Sequence, residues 1–271
     1  MTPGAAQDDS WLGVLLTVAY EGSLFHGLAR QRGARTVAGE IDAAVSAIDP
    51  GASPVRAVSR TDAGVHARAQ MMAFDTQVRI PSRGWALGLT RLLPPAIAIV
   101  RAARVDAGFD PRAEVVSKTY RYLLHVAKVR DPFLHGRAWH IRETLELDRM
   151  YSEAQALVGE HDYAAFRGAA DGRSNTRCRL IRLDIRPNRT NHRLVDVEIE
   201  GDRFLYKMVR IIVGSLVDVA RGRLDAGALK RALASGSRAD LGITAPPDGL
   251  YLDSVALKQM GQDPWPNPSS D

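Results

Sequence analysis

The apolar residues of this chain fall into short segments whose spacing switches between strand and helix patterns. Mainly apolar runs at residues 12–20 and 97–105 are typical of strands, whereas the apolar residues of 37–48 recur at three- and four-residue steps, which indicates a helix. A second helix is predicted at residues 85–93, directly before a pair of prolines. The first part of the chain therefore predicts a lobe that mixes helices and strands.

The second part of the chain repeats this scheme with comparable content. Strands are predicted at residues 119–126, 178–186 and 193–200, and helices at residues 147–158 and 205–221. We therefore predict an α/β fold of the α+β kind, in which two similar lobes with mostly antiparallel sheets flanked by helices enclose an active cleft.

The lobes are predicted to meet near residues 106–114, so that they span residues 11–110 and 111–260. Residues 1–10 and 261–271 are rich in Gly, Pro, Ser, Asp and Asn. Such composition at chain ends is typical of frayed, disordered tails.

The charge balance of the chain is mildly basic. Lysine and arginine total 36 against 31 acidic residues, which gives a net charge of +5 and a weak preference for polyanionic partners. Nearly all of these cations are arginines, which bind phosphates bidentately and stack on bases. A biased genomic base composition would produce the same excess.

Several classes of protein are not supported by the sequence. A single cysteine, Cys178, excludes an intramolecular disulfide and a cysteine-rich metal site, and it favours a reducing cytoplasm. No stretch has the length and apolar character of a membrane span, and no secretory signal pattern is present. Phosphate-binding loops, dinucleotide fingerprints and His/Glu metal spacings are also missing, so no metal or nucleotide cofactor is expected.

One stretch carries candidate chemistry, because it places an acidic residue between a basic residue and a glycine. Residues 59–67 read Ser-Arg-Thr-Asp-Ala-Gly-Val-His-Ala and lie between a short apolar stretch and the predicted strand of residues 67–74. This connection should lie at a sheet edge, where rigid strands present loop residues such as Asp62 for function. A structural alternative is that Asp62 caps the turn, which Gly64 closes with a positive φ.

The predicted helix of residues 205–221 has an apolar side that must face the core. Its apolar positions are Leu205, Met208, Val209, Ile212, Leu216 and Val219. Arg210 lies on the other side, one turn before Gly214, which removes side-chain bulk beside it. The pattern indicates an arginine on an open face, and an ordinary solvated helix face is the alternative.

Five segments of the chain, taken in order, resemble the TruA-type tRNA pseudouridine synthase family. They are Tyr20–Gly27 with Arg30-Gln31 and Thr36–Glu40, then Arg60–Ala67, Lys118–Tyr122, Phe204–Arg210 with Val213-Gly214, and Ala245–Leu252. The resemblance covers roughly residues 12–257. It implies the two-lobed architecture, with the aspartate loop in the first lobe and the tyrosine strand and arginine helix in the second.

The resemblance assigns Asp62 as the nucleophile of uridine isomerisation and Arg210 as its ion partner. A guanidinium beside a partly buried carboxylate favours its ionised form and fixes its orientation. Ionised Asp62 could attack the anomeric carbon of the ribose, add to the uracil ring, or assist a glycal intermediate, and the sequence leaves these routes open. In each route the uracil detaches, rotates and rejoins the sugar through carbon, so the resemblance implies no redox cofactor and no metal.

The remaining site residues also follow from the resemblance. Tyr120 is expected to stack on the target base and to assist proton movement, whereas Tyr122, on the same strand face, is expected in the core. Arg60 would fill the gap left by an extruded base, or it would contact a phosphate. Leu250 would line the pocket, with an ordinary strand position as its alternative, and His66 is expected to satisfy a backbone group without a catalytic role.

The resemblance implies a tRNA substrate, modified at anticodon-arm positions 38 to 40, and a homodimer. The sequence departs from the family pattern at Leu28-Ala29, Ala38, Ser59 and Thr90. These changes alter polar positions around the catalytic group, so a paralogue that modifies another RNA, or one that binds and remodels RNA without catalysis, is the alternative. A nucleoside hydrolase would need a second acidic residue, and no partner of that kind for Asp62 is evident.

Overall fold

The computed structural model describes residues 11–266. The strands of this part of the chain are β1 (Leu12–Tyr20), β2 (Arg56–Ala57), β3 (His66–Thr76), β4 (Ile97–Val105), β5 (Val115–Val126), β6 (Trp139–Ile141), β7 (Gly159–Asp162), β8 (Arg177–Pro187), β9 (Leu194–Gly201), β10 (Leu250–Leu257) and β11 (Gln262–Trp265). Its helices are α1 (Val37–Ile48), α2 (Ser82–Leu92), α3 (Leu147–Gln155), α4 (Met208–Ala220) and α5 (Ala228–Ser235).

The strands form one continuous, mostly antiparallel sheet. Its order is β11-β4-β1-β3-β10-β5-β9-β8-β7, with β2 paired to β3 and β6 paired to β5. The predicted α/β class with mostly antiparallel strands is confirmed, although the sheets of the two halves join into one. The lobe limits near residue 110 stay a prediction.

Strand β10, from near the end of the chain, joins the two halves of the sheet. It runs parallel to β3, with Tyr251 opposite His66, and antiparallel to β5, with Leu250 opposite Tyr122. This position brings the loop that precedes β3 beside the tyrosine strand. The candidate residues of both halves therefore meet around β10.

The predicted bounds of β1, α1 and β4 agree with the structure, because local spacing and caps determine them. The hydroxyl of Thr36 accepts a hydrogen bond from the Gly39 amide, which caps α1 at its start. Helix α4 begins at Met208 and not at Leu205 as predicted, because Lys207 has a left-handed backbone with φ of 59°. That conformation interrupts a right-handed helix.

Helix α4 is buried on every side, so the predicted open face was wrong. All of its residues except Arg210 are buried. A Cβ added to Gly214 would lie 1.9 Å from the Ile243 carbonyl oxygen, so the glycine admits the backbone of residues 243–245 against the helix. Among residues 11–266, no helix is both long and apolar enough to cross a membrane.

The predicted C-terminal tail is ordered over the residues that the structure describes. Strand β11 pairs with β4, with Gln262 opposite Arg104 and Trp265 opposite Ala102. Gly261, with φ of 80°, turns the chain against the β4 backbone. The polar composition predicted a frayed tail, but the edge of β4 was available to form hydrogen bonds with the backbone of residues 262–265. Residues 1–10 and 267–271 lie outside the described part of the chain.

Candidate active site

A cavity of about 820 Å³ opens between the loop that precedes β3, strand β5 and the start of α4. All five residues that the sequence analysis assigned to the site line it, namely Arg60, Asp62, Tyr120, Arg210 and Leu250. The structure therefore brings together residues from distant parts of the chain, and their catalytic roles remain predictions.

The loop that carries Asp62 is held by backbone hydrogen bonds on both sides. The Leu28 amide donates to the Thr61 carbonyl at 3.1 Å, and the Val65 amide donates to the Asp62 carbonyl at 3.1 Å. Gly27 has φ of 86°, and a Cβ at this position would lie 2.8 Å from the Thr61 oxygen. Because the turn is closed by backbone groups, the Asp62 carboxylate remains available for other contacts.

A buried side-chain contact also anchors this loop to the sheet. The Tyr20 hydroxyl and the Thr61 hydroxyl form a hydrogen bond of 2.7 Å. Burial raises the pKa of Tyr20 far above its ordinary value, and the hydrogen bonds to Thr61 and Gln70 oppose that rise. Tyr20 therefore stays neutral, and the hydroxyl pair orients Thr61 next to Asp62.

The Asp62 carboxylate accepts a hydrogen bond from Arg210, with 3.1 Å between Oδ2 and Nη1. The Nε of the same guanidinium donates to the Ala245 carbonyl at 2.8 Å, so Arg210 is held from two sides. The Asp62 side chain is 25% exposed and that of Arg210 is 13% exposed. The guanidinium thus fixes the direction of the carboxylate, while one side of Asp62 stays open to the cavity.

The ring of Tyr120 forms part of the cavity wall. Its hydroxyl forms a hydrogen bond of 3.1 Å with the Ser59 hydroxyl, and its ring packs edge-on against Phe204 with 5.0 Å between centroids. Burial raises the pKa of Tyr120, the Ser59 hydrogen bond lowers it, and the nearby Asp62 charge raises it. The phenol is therefore neutral near pH 7 and carries a proton that it can donate.

Tyr122 belongs to the core, as predicted. Its side chain is fully buried, and its hydroxyl donates to the Pro246 carbonyl at 2.7 Å. Burial raises the pKa of Tyr122 well above the ordinary value. Although Tyr120 and Tyr122 share a strand face, only Tyr120 lines the cavity.

Arg60 and Leu250 border the cavity in different ways. Arg60 is exposed, and within residues 11–266 its guanidinium makes no hydrogen bond or ion pair, so it is free to contact a ligand. Leu250 is 5% exposed and pairs with Tyr122 across the sheet. It is therefore both an ordinary strand residue and part of the cavity lining.

His66 satisfies backbone groups, as expected from the sequence. Its Nδ1 accepts from the Gly22 amide at 3.1 Å, and its Nε2 lies 2.9 Å from the Gly136 carbonyl and 3.1 Å from that of Asp248. Burial lowers the pKa of His66, which favours the neutral ring with its proton on Nε2. The ring thus connects three separate loops behind the Asp62 turn.

The sequence did not assign a role to several other residues that line the cavity. The cations among its lining residues besides Arg60 and Arg210 are Arg112, Lys118, Arg173 and Lys207. Lys118 lies two residues before Tyr120 on the same strand face, and both this spacing and its place in the segment Lys118–Tyr122 were signals that pointed to it. Within the described residues, no group of three or more His, Cys, Asp or Glu side chains is placed to hold a metal ion.

Comparisons with known proteins give a consistent result. A family model described as tRNA pseudouridine synthase matches residues 154–256. The tRNA pseudouridine synthase A of Geotalea daltonii is 37% identical over 242 residues, which cover 89% of this chain and 98% of the relative.

Proteins of the same name from other bacteria show similar agreement. The protein from Bacillus velezensis is 39% identical over 244 residues, and the one from Geobacter sulfurreducens is 36% identical over 242 residues. Each alignment covers 89% of this chain and 98% of the relative. The matched region contains the loop, strand and helix that line the cavity.

Proposed function

This chain belongs to the tRNA pseudouridine synthase family, and from that premise we propose that it converts uridine to pseudouridine at anticodon-arm positions 38 to 40 of tRNA, with Asp62 as the nucleophile. The observation that carries the proposal is the ion pair of Asp62 and Arg210 at the wall of a cavity large enough for a nucleotide. A carboxylate is a poor choice for merely binding a polyanion, so its position there favours a chemical role.

Asp62 starts the reaction in its ionised form. Arg210 neutralises part of its charge and fixes its direction, and Ala245 in turn fixes the guanidinium. Attack on the anomeric carbon, addition to the uracil ring and assistance to a glycal intermediate all require the carboxylate beside the target nucleotide. In every case the bond from the sugar to uracil nitrogen breaks and a bond from the sugar to uracil carbon replaces it. That carbon then loses its proton, and the freed nitrogen gains one.

The base must stay in contact with the protein while it rotates. The edge of Phe204 holds the Tyr120 ring in place, so that Tyr120 offers a fixed surface on which the uracil stacks. The neutral Tyr120 hydroxyl, oriented by Ser59, is available for proton transfer after the new carbon bond forms. Leu250, one of the lining residues, supplies apolar contact in the cavity.

A uridine in a stacked loop or stem must leave the stack before it reaches Asp62. Arg60 is two residues from Asp62, exposed and without a partner in the described part of the chain. We propose that the Arg60 side chain fills the gap that the extruded base leaves in the stack. A planar guanidinium can stack between the neighbouring bases and so compensate for the lost contact.

The experiment that tests the proposal is carbodiimide-based mapping of pseudouridine in tRNA from a synthase-deficient host. The parent protein is expected to introduce pseudouridine at positions 38 to 40, and the Asp62→Asn protein is expected to introduce none while binding the same tRNA. Modification by both proteins would remove Asp62 from its role. A lack of modification by the parent would favour another RNA target or a binding function without catalysis.

The cellular setting and assembly follow from the substrate. Since mature tRNA is a cytoplasmic molecule, we place the enzyme in the cytoplasm, and we propose a homodimer whose combined basic surface contacts one tRNA. Sedimentation at micromolar concentration tests the assembly. A dimer supports it, and a monomer at every concentration up to that range contradicts it.

A further inference from the structure

Lys118 has a position in the cavity that the reaction described above does not explain. It lies on β5, two residues before Tyr120, and it lines the same cavity. Its side chain is partly buried, and within residues 11–266 it has no carboxylate partner in an ion pair. Its ammonium contacts the Phe204 ring, 5.9 Å from the centroid.

Asp171, a carboxylate that lines the same cavity, is already used by other donors. Arg173 donates to both of its oxygens, at 2.8 Å from Nε and 2.5 Å from Nη2, and the Tyr206 amide donates to it at 2.8 Å. Only 3% of the Asp171 side chain is exposed. These bonds hold the pKa of Asp171 far below its ordinary value and leave no free acceptor for Lys118.

The same bonds fix Arg173 at the cavity wall beside Lys118. Its Nη1 donates to the Phe204 carbonyl at 3.0 Å, so the guanidinium is tied to the segment that also carries the Phe204 ring. Lys118 and Arg173 both contact Phe204, the ammonium at the ring and the guanidinium at the carbonyl, so the two cations lie close together. Burial lowers the pKa of Lys118 and the charge of Arg173 lowers it further, while the charge of Asp202 raises it. A partly desolvated cation next to a second cation is unfavourable until an anion arrives.

We propose that Lys118 and Arg173 form a phosphate subsite that holds the backbone phosphate adjoining the target uridine. The inference rests on the proposed function, since RNA is the anion that this cavity would receive. Side chains two residues apart on one strand face are separated by about 6.6 Å. A nucleotide whose base stacks on Tyr120 therefore places a flanking phosphate within reach of Lys118.

The subsite gives Lys118 a purely electrostatic task. A lysine whose pKa is lowered could instead exchange a proton with the reacting base. The two roles differ in which substitution they tolerate, because an arginine can bind phosphate but cannot exchange protons near pH 7. Lys118→Arg is therefore expected to retain most of the activity, whereas a loss of turnover equal to that of Lys118→Met would overturn the phosphate role.

The direct test uses anticodon stem-loop RNAs in which single phosphates are replaced in turn by uncharged methylphosphonates. Binding is measured by fluorescence anisotropy, with Asp62→Asn in every protein so that no turnover occurs. With Lys118 present, neutralising one phosphate beside the target uridine is expected to raise Kd about tenfold. With Lys118→Met, Kd for the unsubstituted RNA is expected to be higher than with Lys118. The methylphosphonate is then expected to change Kd less than twofold.

Lys230→Met is the matched control, because Lys230 is exposed on α5, outside the cavity, and its loss changes net charge equally. The slope of log Kd against log salt is expected to fall by about 0.7 to 0.9 for Lys118→Met and to stay constant for Lys230→Met. Equal slopes, or an unchanged response to every methylphosphonate, would overturn the subsite. Thermal unfolding of each variant separates these results from misfolding, and Lys118→Arg keeps the test open if Lys118→Met is unstable.

Failure of the subsite and failure of the proposed function give different results. Pseudouridine mapping with the unmodified protein reports the isomerase activity alone. RNA that binds with the expected methylphosphonate response but stays unmodified would refute the isomerase and support the subsite. Modified tRNA with no such response would refute the subsite and support the isomerase.

Discussion

Arg210 and Asp62 are 148 positions apart in the chain, and their side chains meet at 3.1 Å. Arg210 is the one residue of α4 that is not buried, and Asp62 lies in the loop before β3. The contact depends on Gly214, which lets the backbone of residues 243–245 approach α4 so that the Ala245 carbonyl holds the guanidinium. The candidate site is therefore built by the packing of α4 as much as by the loop that carries Asp62.

The guanidinium of Arg210 donates to both Asp62 and Ala245, and we expect catalysis to require both contacts. A lysine has a single ammonium and cannot reach both Asp62 and the Ala245 carbonyl, so the carboxylate would lose its fixed direction. We expect Arg210→Lys to lower the single-turnover rate of pseudouridine formation about a hundredfold, while tRNA affinity changes little. Arg223→Lys, which alters an exposed ion pair with Glu143, is the control. Equal rates for both variants would show that the two contacts are dispensable.

The two tyrosines of β5 are expected to separate catalysis from stability. Tyr120→Phe keeps the stacking surface but removes the hydroxyl that bonds to Ser59, so we expect turnover to fall at least about tenfold with binding retained. Tyr122→Phe leaves the buried Pro246 carbonyl without its donor and should cost about 1–3 kcal/mol of folding stability. Single-turnover kinetics and urea unfolding distinguish the two. The reverse pattern would reassign the roles.

Arg60 is expected to act after the RNA has bound. Anticodon stem-loops that carry 2-aminopurine next to the target uridine report unstacking through a rise in fluorescence. Arg60→Ala should reduce the amplitude of that rise several-fold, whereas the affinity of initial capture changes less. Arg189→Ala removes one exposed arginine outside the cavity and is the control. Equal losses of affinity and amplitude would favour a simple phosphate contact.

Gly214 and Gly88 provide a matched pair of helical glycines. A Cβ on Gly214 would lie 1.9 Å from the Ile243 oxygen, whereas a Cβ on Gly88 meets only the Ile48 side chain at 3.5 Å. Gly214→Ala should therefore destabilise the protein by about 1–3 kcal/mol and displace Ala245 from Arg210. Gly88→Ala should stabilise α2 by up to about 1 kcal/mol. Thermal unfolding with activity assays tests both, and similar effects would contradict the packing described.

Stability is expected to fall at alkaline pH because the fold holds several phenols in their neutral form. Burial raises the pKa of Tyr20, Tyr120, Tyr122 and Tyr163, and that of Tyr251 to about 12. Folded tyrosines bind their protons more tightly than unfolded ones, whose pKa is 10.0. This contribution is complete below that value and is lost as the pH rises through the folded pKa.

Urea unfolding at several pH values measures this effect. The free energy of unfolding should fall above pH 10 by up to about 1.4 kcal/mol per pH unit for each tyrosine concerned. The phenolate absorbance of these five buried tyrosines should appear together with unfolding. A constant free energy of unfolding between pH 10 and pH 12 would contradict the burial of their hydroxyls.

The sequence by itself determined the bounds of several local elements, and it identified five residues that line one cavity. Apolar spacing and a cap are properties of adjacent residues, so the bounds of β1, α1 and β4 could be read directly. The loop around Asp62 and the tyrosine strand were recognised from short motifs in a known order. None of these signals requires knowledge of which segments touch.

Only the tertiary structure decided how those pieces meet. Spacing within β10 does not reveal that it lies between β3 and β5, and the polar residues of β11 do not reveal that an edge of β4 was available. The sequence also does not reveal the close backbone approach at Gly214, or that Lys118 has no ion-pair partner between residues 11 and 266. Each of these features depends on residues that are far apart in the chain. The packing of the whole sheet and its helices brings those residues together. The periodicity of side chains specifies which face of an element is buried, but it does not specify which other element covers that face.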